Sequence, residues 1–292
     1  MVESPPAEPD VASGALEAVR ARVDPALLRF LGDRRAELAA MDPSAAGLVE
    51  EIERLVRAGG KRIRPALSYW AFRAAGGADS EPIVNVGVAL ELLHTSALVH
   101  DDVMDRTDER RGVPATHVRF AAEAPAGIDA GAYGVAAAIL VGDLALVLSE
   151  HALRTSGFRG AALSLAMGRF DRMRIEMATG QFLDVSGAAD RDRVAALKSG
   201  SYTAVGPVSI GAALAGADVA AEGVLGVFAR LVGAAFQLRD DAMDGDAPAG
   251  SGAEVGALID RAVGSLGGAP LRPEAVGALA ELAELLRLPE GA

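Results

Sequence analysis

The 292-residue sequence contains no cysteine, only two lysines and few aromatic residues, which make up 4% of the chain. The absence of cysteine excludes disulfides, thiolate zinc sites and cysteine nucleophiles. Arginine supplies all the other basic residues, 26 of 28. Lys61 and Lys198 are therefore candidates for positions that need a compact ammonium charge, and chance in a biased composition is the alternative.

Basic residues are outnumbered by acidic ones, 28 against 40, which gives a formal net charge of −12. This excess argues against nucleic acid, and against an anionic membrane surface, as a general partner. The longest apolar stretch, 132–148, is interrupted by Asp143 and is shorter than the ~20 apolar residues of a membrane span. It is interpreted as a buried core helix, so we expect no membrane span and a cytoplasmic location.

Alternating β-branched runs are scarce, whereas hydrophobic residues, many of them Ala and Leu, make up 51% of the chain. This composition predicts an all-α fold. Residues 1–14 are acidic and proline-rich, unlike a signal peptide, and are predicted to form a disordered leader. Residues 15–292 are predicted to form a single domain, because no convincing linker divides them.

Apolar spacing and Gly or Pro stop signals locate the helices. The predicted helices are 15–40, 46–57, 65–75, 82–105, 133–153, 159–185, 190–205, 207–216, 218–244, 254–266 and 273–286. Helix 82–105 is apolar nearly all round and is predicted to be central. Gly206-Pro207 is predicted to break the chain between two helices, and residues 106–112 are predicted to form a polar loop.

Two acidic clusters stand at the ends of two predicted helices. The first is Asp101-Asp-Val-Met-Asp105, and the second, 139 residues later, is Asp240-Asp-Ala-Met-Asp244. Helical spacing places the first and last aspartate of each cluster on one face. Because crowded carboxylates repel one another, the clusters predict divalent cations and an anion shared between those cations.

Basic residues occur at two places suited to phosphate. Lys61-Arg-Ile-Arg64 follows two glycines and leads into a helix whose predicted first residue is Pro65. A basic surface turn is the alternative. The pair Arg110-Arg111 follows the first acidic cluster and is interpreted either as surface charge pairing or as the cationic half of a diphosphate site.

In this order and spacing, the motifs resemble those of the trans-isoprenyl diphosphate synthases, the polyprenyl synthetase family. The resemblance extends over about 48–244 and rests on these segments: Gly60-Lys-Arg-Ile-Arg-Pro65, His94, Asp101–Asp105, Arg110-Arg-Gly112, Gly180-Gln181, Lys198 and Phe236-Gln237 before Asp240–Asp244. It implies an antiparallel bundle of ten or more helices around a deep cavity, usually homodimeric. It also implies condensation of isopentenyl diphosphate with an allylic diphosphate, whose C–O bond ionises with the help of magnesium.

The resemblance implies a role for each matching residue. Magnesium, as three ions with substrate bound, would be held directly by Asp101, Asp105 and Asp240, with Asp102, Asp241 and Asp244 in support. Isopentenyl diphosphate would be held by Lys61, Arg64, His94 and Arg111, and the allylic diphosphate by Arg110, Lys198 and Gln237. The residues implied in catalysis are Asp101, Asp105, Asp240, Lys198 and Arg110. Both lysines thus fall on phosphate-contacting positions.

The sequence departs from the family pattern after Asp244. The family usually continues with a lysine-containing segment, whereas residues 245–252 are mostly Gly and Ala and no lysine follows Lys198. The domain is therefore predicted to be shortened after residue 244. A non-catalytic or regulatory subunit of a heteromeric synthase is one alternative. A terpene cyclase is a weaker alternative. It would need many aromatic side chains to stabilise cations, and the chain has only 12 aromatics; its second motif is also rich in aspartate, unlike that of a cyclase.

Product length is predicted from the residues below Asp101. Ser96 and Ala97 are small at positions where an aromatic side chain would block a growing chain. Leu93 and Leu90, one and two turns further down, are predicted to form the floor. The expected product is near C20, followed by C15.

Overall fold

The computed structural model describes residues 13–187, 190–244 and 251–288, without the side chains of residues 191, 192, 199 and 244. The first helix begins at Gly14, and Ser13 caps it by accepting a hydrogen bond from the Leu16 amide at 3.2 Å. A side-chain cap of this kind satisfies an amide that has no partner inside the helix. Residues 1–12 of the predicted leader lie outside the described residues.

The described chain is all-α, as predicted. Its α-helices are α1 Gly14–Met41, α2 Ala46–Arg57, α3 Ile63–Ala74, α4 Glu81–Met104, α5 Thr116–Ala122, α6 Ala130–Arg154, α7 Gly160–Val185, α8 Arg191–Ala195, α9 Gly206–Ala215, α10 Val219–Asp244, α11 Ser251–Ser265 and α12 Pro273–Glu284. A π-helix, Ala196–Val205, joins α8 to α9, and short 3₁₀ turns occupy Pro43–Ala45 and Leu266–Gly268. Strands β1 Glu109–Arg110 and β2 Val113–Pro114 pair as a small antiparallel hairpin.

Most predicted boundaries agree with the structure to within a few residues, and local differences occur at α3, at the hairpin and at α5. Helix α3 begins at Ile63, so Pro65 is its third residue rather than its first. The predicted loop 106–112 contains β1 and turns into β2. Helix α5 was not predicted, because its seven residues are too few to show a clear apolar period.

Gly206-Pro207 does not break the helix as predicted. The π-helix continues directly into α9, with Val205 and Gly206 both in right-handed helical conformation. Pro207 lacks an amide hydrogen, and it lies at the junction where the π-helical hydrogen-bond pattern gives way to the α-helical one. The glycine serves packing instead, since a Cβ on Gly206 would lie 2.1 Å from the sulfur of Met173.

Helix α4 is the centre of the bundle, as predicted, and packs against α6, α3 and α1. In contrast, the prediction that 132–148 forms a buried core helix is wrong. Only 39% of the most apolar stretch of α6 is buried, and Ile139, Leu140 and Val147 are exposed. By length and composition alone, three described helices, α4, α6 and α10, are apolar enough to cross a membrane.

Arg62 fixes the corner between α2 and α3. Its backbone is left-handed (φ 57°), and its buried side chain donates to Glu91 Oε2 at 2.9 Å and Asp24 Oδ1 at 2.7 Å. It also donates to the Val56 carbonyl at 3.0 Å. The buried charge is therefore fully paired, which holds the neighbouring basic residues in one place relative to α4.

Candidate functional site

A cavity of about 880 Å³ lies among α3, α4, α7, the π-helix and α10. It is lined by seven of the residues that the sequence assigns to substrate or metal: Lys61, Arg64, His94, Asp101, Arg111, Lys198 and Asp240. The structure thus brings together residues from five separate segments, separated by up to 179 positions in the chain.

Asp101 is at the centre of a polar cluster on one wall. Gln181 Nε2 of α7 donates to its Oδ1 at 2.9 Å, and Lys198 Nζ lies 3.5 Å from the same oxygen. Lys198 also donates to Asp184 Oδ2 at 2.7 Å. Burial opposes the charge on Lys198, but its hydrogen bond with Asp184 and the nearby Asp101 outweigh burial and raise its pKa.

Asp105 follows Asp101 by one turn and adds negative charge to the same end of α4. Partial burial, Asp101 and Asp184 raise the pKa of Asp105, whereas Lys198 opposes the shift. Carboxylates disfavour one another's ionised form when no cation lies between them. This end of α4 is therefore a place where an added cation would be stabilised.

Arg110 and Asp102 pair with each other, and neither residue lines the cavity. Asp102 is buried, and Arg110 Nε and Nη2 both approach its Oδ1 at 2.6 Å. Burial raises the pKa of Asp102 although Arg110 opposes the shift. In this structure the pair fixes the hairpin to α4.

A second buried carboxylate holds the hairpin from the other side. Glu51 of α2 accepts a hydrogen bond from Thr116 at 2.8 Å and from Arg54 and Arg119. Burial opposes its ionisation, but the two arginines outweigh burial and lower the pKa of Glu51. Arg54 in turn donates to the Pro114 carbonyl at 2.8 Å, so α2 positions the strand that follows the arginine pair.

The second acidic cluster faces the cavity from α10. Asp240, Phe236 and Met243 line the cavity. Gln237 does not: its Nε2 donates to Asp241 Oδ1 at 2.7 Å, and its buried Oε1 has no protein partner. The side chain of Asp244 lies outside the described residues, so its predicted role is untested.

A second part of the cavity wall, the basic wall, contains Arg62, Arg64 and Arg111. Arg111, in left-handed conformation (φ 55°), donates to the Gly59 carbonyl. Burial and the nearby Arg62, Arg110 and Arg64 lower its pKa. Cations gathered in this way favour binding of a polyanion, which would relieve their mutual repulsion.

His94 joins this basic wall as a neutral side chain. Its Nδ1 contacts the hydroxyl of Tyr202, which the π-helix supplies. Burial and the positive charge of Arg64 and Arg111 hold the pKa of His94 well below its usual 6.5. Burial raises the pKa of Tyr202 to about 12, so the hydroxyl keeps its proton. In the tautomer in which this hydroxyl donates a hydrogen bond to Nδ1, the proton of His94 is on Nε2, which is then a donor.

The π-helix therefore reaches both walls. Lys198 near its start pairs with Asp101 and Asp184, whereas Tyr202 and Thr203 near its end contact His94 and Arg64. Arg64 donates to Thr203 Oγ1 at 3.0 Å and stacks 4.1 Å from the ring centroid of Tyr202. π-helical turns are rare and commonly occur at functional sites.

The predicted floor is wrong. Ser96 and Ala97 line the cavity as expected, but Leu93 and Leu90, with 0% and 1% exposure, belong to the core and are absent from its lining. Both are packed against neighbouring helices, so no space opens beside them. Leu146 of α6 and Met177 and Arg174 of α7 line the cavity instead.

Sequence reasoning assigned no role to Gln181, Asp184, Tyr202 and Thr203, which all contact the predicted residues. Gln181 was part of a recognised motif, and that motif was a usable signal. Tyr202 and Thr203 lie four and five positions after Lys198. Tyr202 would share the face of Lys198 in a regular α-helix and could have been found from that spacing. Thr203, five positions on, shares this face only because the turn is π-helical.

The described residues contain no group of three or more His, Cys, Asp and Glu that could enclose a metal ion on its own. Magnesium in proteins commonly takes one or two carboxylates and completes its coordination with water and substrate phosphates. Two carboxylate clusters on separate walls of one cavity suit this mode of binding. Asp101, Asp105 and Asp240 therefore fit as ligands for magnesium that arrives with a diphosphate.

Comparison with known families places this arrangement in context. The polyprenyl synthetase model matches residues 46–252. Geranylgeranyl diphosphate synthase of Methanosarcina mazei is 34% identical over 202 residues, 66% of this chain and 57% of that protein. (2E,6E)-Farnesyl diphosphate synthase of Mycobacterium tuberculosis is 35% identical over 192 residues, 62% of this chain and 48% of that protein. The matched region spans less than two thirds of these relatives' own length.

Solved structures show the same fold. Geranylgeranyl pyrophosphate synthase of Corynebacterium glutamicum, complexed with isoprenyl diphosphate and magnesium, superposes with a TM-score of 0.83 at 25% identity. The match covers 94% of this chain and 98% of that one. Geranylgeranyl pyrophosphate synthetase of Pyrococcus horikoshii gives a TM-score of 0.74 at 21% identity, over 94% of this chain and 99% of that one.

Proposed function

Because this chain belongs to the polyprenyl synthetase family, we propose that it condenses isopentenyl diphosphate with an allylic diphosphate. The observation that carries the proposal is a single cavity whose lining contains aspartates from two helices, α4 and α10, and a group of cations. Such a cavity can hold two diphosphates in different ways, one through metal and one through side-chain cations.

The allylic diphosphate is proposed to bind between the two acidic clusters. Asp101, Asp105 and Asp240 would hold magnesium, and Lys198 would contact the diphosphate directly. When bound, magnesium would neutralise the negative charge that builds on the leaving diphosphate. Three ions remain the proposed number, with Asp102, Asp241 and Asp244 in support.

Two of the proposed allylic ligands require a change of partner. Arg110 would have to leave Asp102, and Gln237 would have to turn from Asp241 toward the cavity. The unpartnered Oε1 of Gln237 is consistent with such a change, because a buried acceptor without a hydrogen bond is costly. We propose that both residues reach the diphosphate only when it is bound.

Isopentenyl diphosphate is proposed to bind at the basic wall, through Lys61, Arg64, Arg111 and His94. Arg64 is oriented by Thr203 and Tyr202, and His94 by Tyr202. Orientation by fixed neighbours lowers the entropy lost when the diphosphate binds. A neutral His94 donating through Nε2 adds a hydrogen bond without adding to the charge of the four nearby arginines.

The proposed product is near C20, followed by C15. The support is that Ser96 and Ala97, which line the cavity below Asp101, leave space for a growing chain. Names of relatives include both geranylgeranyl and farnesyl diphosphate synthases, so relatives alone do not separate the two lengths.

The chain is further proposed to act in the cytoplasm as a homodimer, without a membrane span. The support for the dimer is the exposed apolar face of α6, defined by Val135, Ile139, Leu140 and Val147. Exposure of these apolar side chains to water is unfavourable, and a second copy of the chain would bury them. Cell fractionation tests the location: recovery of the chain in the membrane fraction after a high-salt wash would contradict it.

The test is incubation with magnesium, isopentenyl diphosphate and, separately, C5, C10 and C15 allylic diphosphates, with the products identified after dephosphorylation. An elongated alcohol supports the proposal, and its formation should disappear in Asp101→Asn. Asp108→Asn, in the exposed segment just after the first acidic cluster, is the matched control and should retain activity. A cyclic hydrocarbon formed from the allylic substrate alone would instead indicate a terpene cyclase.

A non-catalytic subunit of a heteromeric synthase is the second candidate. One observation favours it: only residues 245–250 separate α10 from α11, where the family usually has a basic segment. The domain is accordingly proposed to be shortened after residue 244. Binding of both diphosphates without turnover, and turnover after addition of a partner subunit, would favour this candidate.

A further inference from the structure

On the α6 and α7 side, the cavity wall becomes apolar below the acidic cluster and then ends at a charge. Gln181 contacts Asp101 at the mouth, and below it Ala178, Met177 and Leu146 line the cavity. Arg174 is the next lining residue of α7. At 1.5 Å per residue, it lies about 10 Å below Gln181 along the helix.

Arg174 is held at this depth by several partners. Its Nη1 donates to Glu150 Oε2 of α6 at 2.9 Å, and its Nη2 donates to Asp171 one turn below on α7. Its guanidinium also stacks 4.7 Å from the ring centroid of Phe170, which is fully buried. With only 21% of its side chain exposed, Arg174 is largely shielded from solvent.

The Arg174–Glu150 pair connects two helices that make little other contact. α6 packs mainly on α4 and α5, whereas α7 packs mainly on the π-helix and α9. Leu146 of α6 and Met177 and Arg174 of α7 line the cavity where these two helices face each other, and the ion pair joins the helices there. The Arg174 guanidinium thus lies where the apolar part of this wall ends, in the path of a lengthening hydrocarbon chain.

We propose that Arg174, positioned by Glu150, is a specificity-determining residue that sets the maximum length of the product. This inference rests on the proposed prenyltransferase function. Burial of a growing chain against Leu146 and Met177 is favourable, because apolar surface is removed from water. Further growth would bring the tail against a paired charge and separate it from its partner or its water, which is unfavourable.

The main test replaces the charge while keeping the shape. Arg174→Met retains an unbranched side chain that can pack on Phe170 and removes the ion pair. With C5, C10 and C15 starters, we expect its longest main product to gain at least one isoprene unit over the wild type. Arg172→Met is the matched control: its side chain, on the same helix, is 80% exposed and pairs with Glu176, so product length should be unchanged.

Two further variants should change product length in opposite directions. Glu150→Gln removes one of the two acidic partners of Arg174, the one on α6, and should also increase the fraction of longer products, because Glu150 is not part of the cavity lining. Ala97→Phe adds an aromatic ring to the α4 side of the cavity and should shorten the product. An unchanged distribution in Ala97→Phe would remove the argument that this cavity holds the chain.

A binding measurement separates failure of the inference from failure of the proposed function. The ratio of the dissociation constants of C20 and C15 thiolodiphosphates should shift by roughly tenfold toward the C20 compound in Arg174→Met, because more hydrocarbon becomes buried. Thermal unfolding establishes that the variant is folded. If Arg174→Met is not folded, the product distribution and the ratio of dissociation constants are measured in Glu150→Gln instead.

Each outcome decides one question. An active wild type with an unchanged product distribution and an unchanged binding ratio in both Arg174→Met and Glu150→Gln would overturn this inference and leave the proposed function intact. A wild type that binds neither diphosphate and forms no elongated product would overturn the proposed function. If the wild type binds the diphosphates but does not turn over, a binding ratio shifted toward the C20 compound in Arg174→Met would support Arg174 as the limit of the cavity.

Discussion

At the scale of single residues, the site depends on side chains that position others. Tyr202 contacts His94 and carries Arg64 above its ring, so one phenol organises two of the residues proposed to hold isopentenyl diphosphate. Arg62 does the same for the corner that carries Lys61, through its buried partners Glu91 and Asp24. None of these positioning groups has to touch a substrate to affect its binding.

Tyr202→Phe removes the hydroxyl that orients His94. We expect the KM for isopentenyl diphosphate to rise by roughly 3- to 10-fold, the value of one hydrogen bond, with little change in the KM for the allylic substrate. Steady-state kinetics with each substrate varied in turn measures the difference. Tyr69→Phe is the matched control, because Tyr69 contacts Arg22 and does not line the cavity. Equal increases in both KM values would contradict the assignment.

His94→Gln should alter the pH dependence of stability. The pKa of folded His94 is held well below 6.5, so below pH 6.5 the unfolded chain binds a proton that the folded chain does not. Stability of the wild type therefore falls with decreasing pH, by up to about 1.4 kcal/mol per pH unit from this residue. Urea unfolding between pH 7.5 and 5 should show a shallower decline for His94→Gln.

The control for this prediction is His151→Gln. Burial, Arg34 and Arg154 also lower the pKa of His151, but this shift is smaller, so its removal should change the slope less. Identical slopes for the wild type and His94→Gln would mean that His94 is charged in the folded chain or is accessible to solvent.

At the scale of elements, the close approach of α7 to the π-helix brings Gln181 and Lys198 together. A Cβ on Gly180 would lie 2.4 Å from the Lys198 amide nitrogen and 2.7 Å from its Cα. Only a glycine permits this contact, because the obstructing atoms are backbone and cannot rotate away. Gly180 was recognised in the sequence as part of a motif, but its packing role required the structure.

Gly180→Ala should separate α7 from the π-helix and displace Lys198 from Asp101. We expect a loss of about 1–3 kcal/mol in the free energy of unfolding, together with weaker binding of the allylic diphosphate. Chemical denaturation and calorimetric titration measure the two effects. Gly168→Ala on the same helix is the control: its Cβ would meet nothing within 4 Å, so the change should be neutral or stabilising.

At the scale of the whole molecule, α12 returns to pack on α3 and α1, and Arg272 donates its amide to the Ala74 carbonyl at 3.0 Å. This return supports the proposal that residues 15–292 act as one domain. The apolar face of α6, in contrast, has no cover within the described chain. The proposed dimer therefore rests on this exposed face of the folded chain rather than on any local motif.

Leu140→Glu and Val147→Glu test the proposed dimer. Both side chains are exposed, at 56% and 64%, so neither change should unfold the chain. If a second copy covers this face, each charge should shift the molecule to a monomer in light scattering at micromolar concentration. Val219→Glu, at a position 89% exposed on α10, is the control and should remain a dimer. A wild-type monomer would contradict the proposal, and recovery of the wild type on lipid vesicles would indicate a membrane surface instead.

The sequence by itself determined the all-α class, most helix boundaries, the central position of α4 and the family. These properties depend on local periodicity and on motifs whose spacing survives in one dimension. The acidic clusters, both lysines and His94 were found in the same way, because each belongs to a short recognisable segment.

Only the tertiary structure decided how these residues are used. It showed that Arg110 is paired with Asp102, that Leu93 and Leu90 do not form the floor, and that Arg174 occupies the space below. It also showed that α6 exposes an apolar face. Such properties depend on which side chains meet across distant segments, and no periodicity within one segment records that pairing.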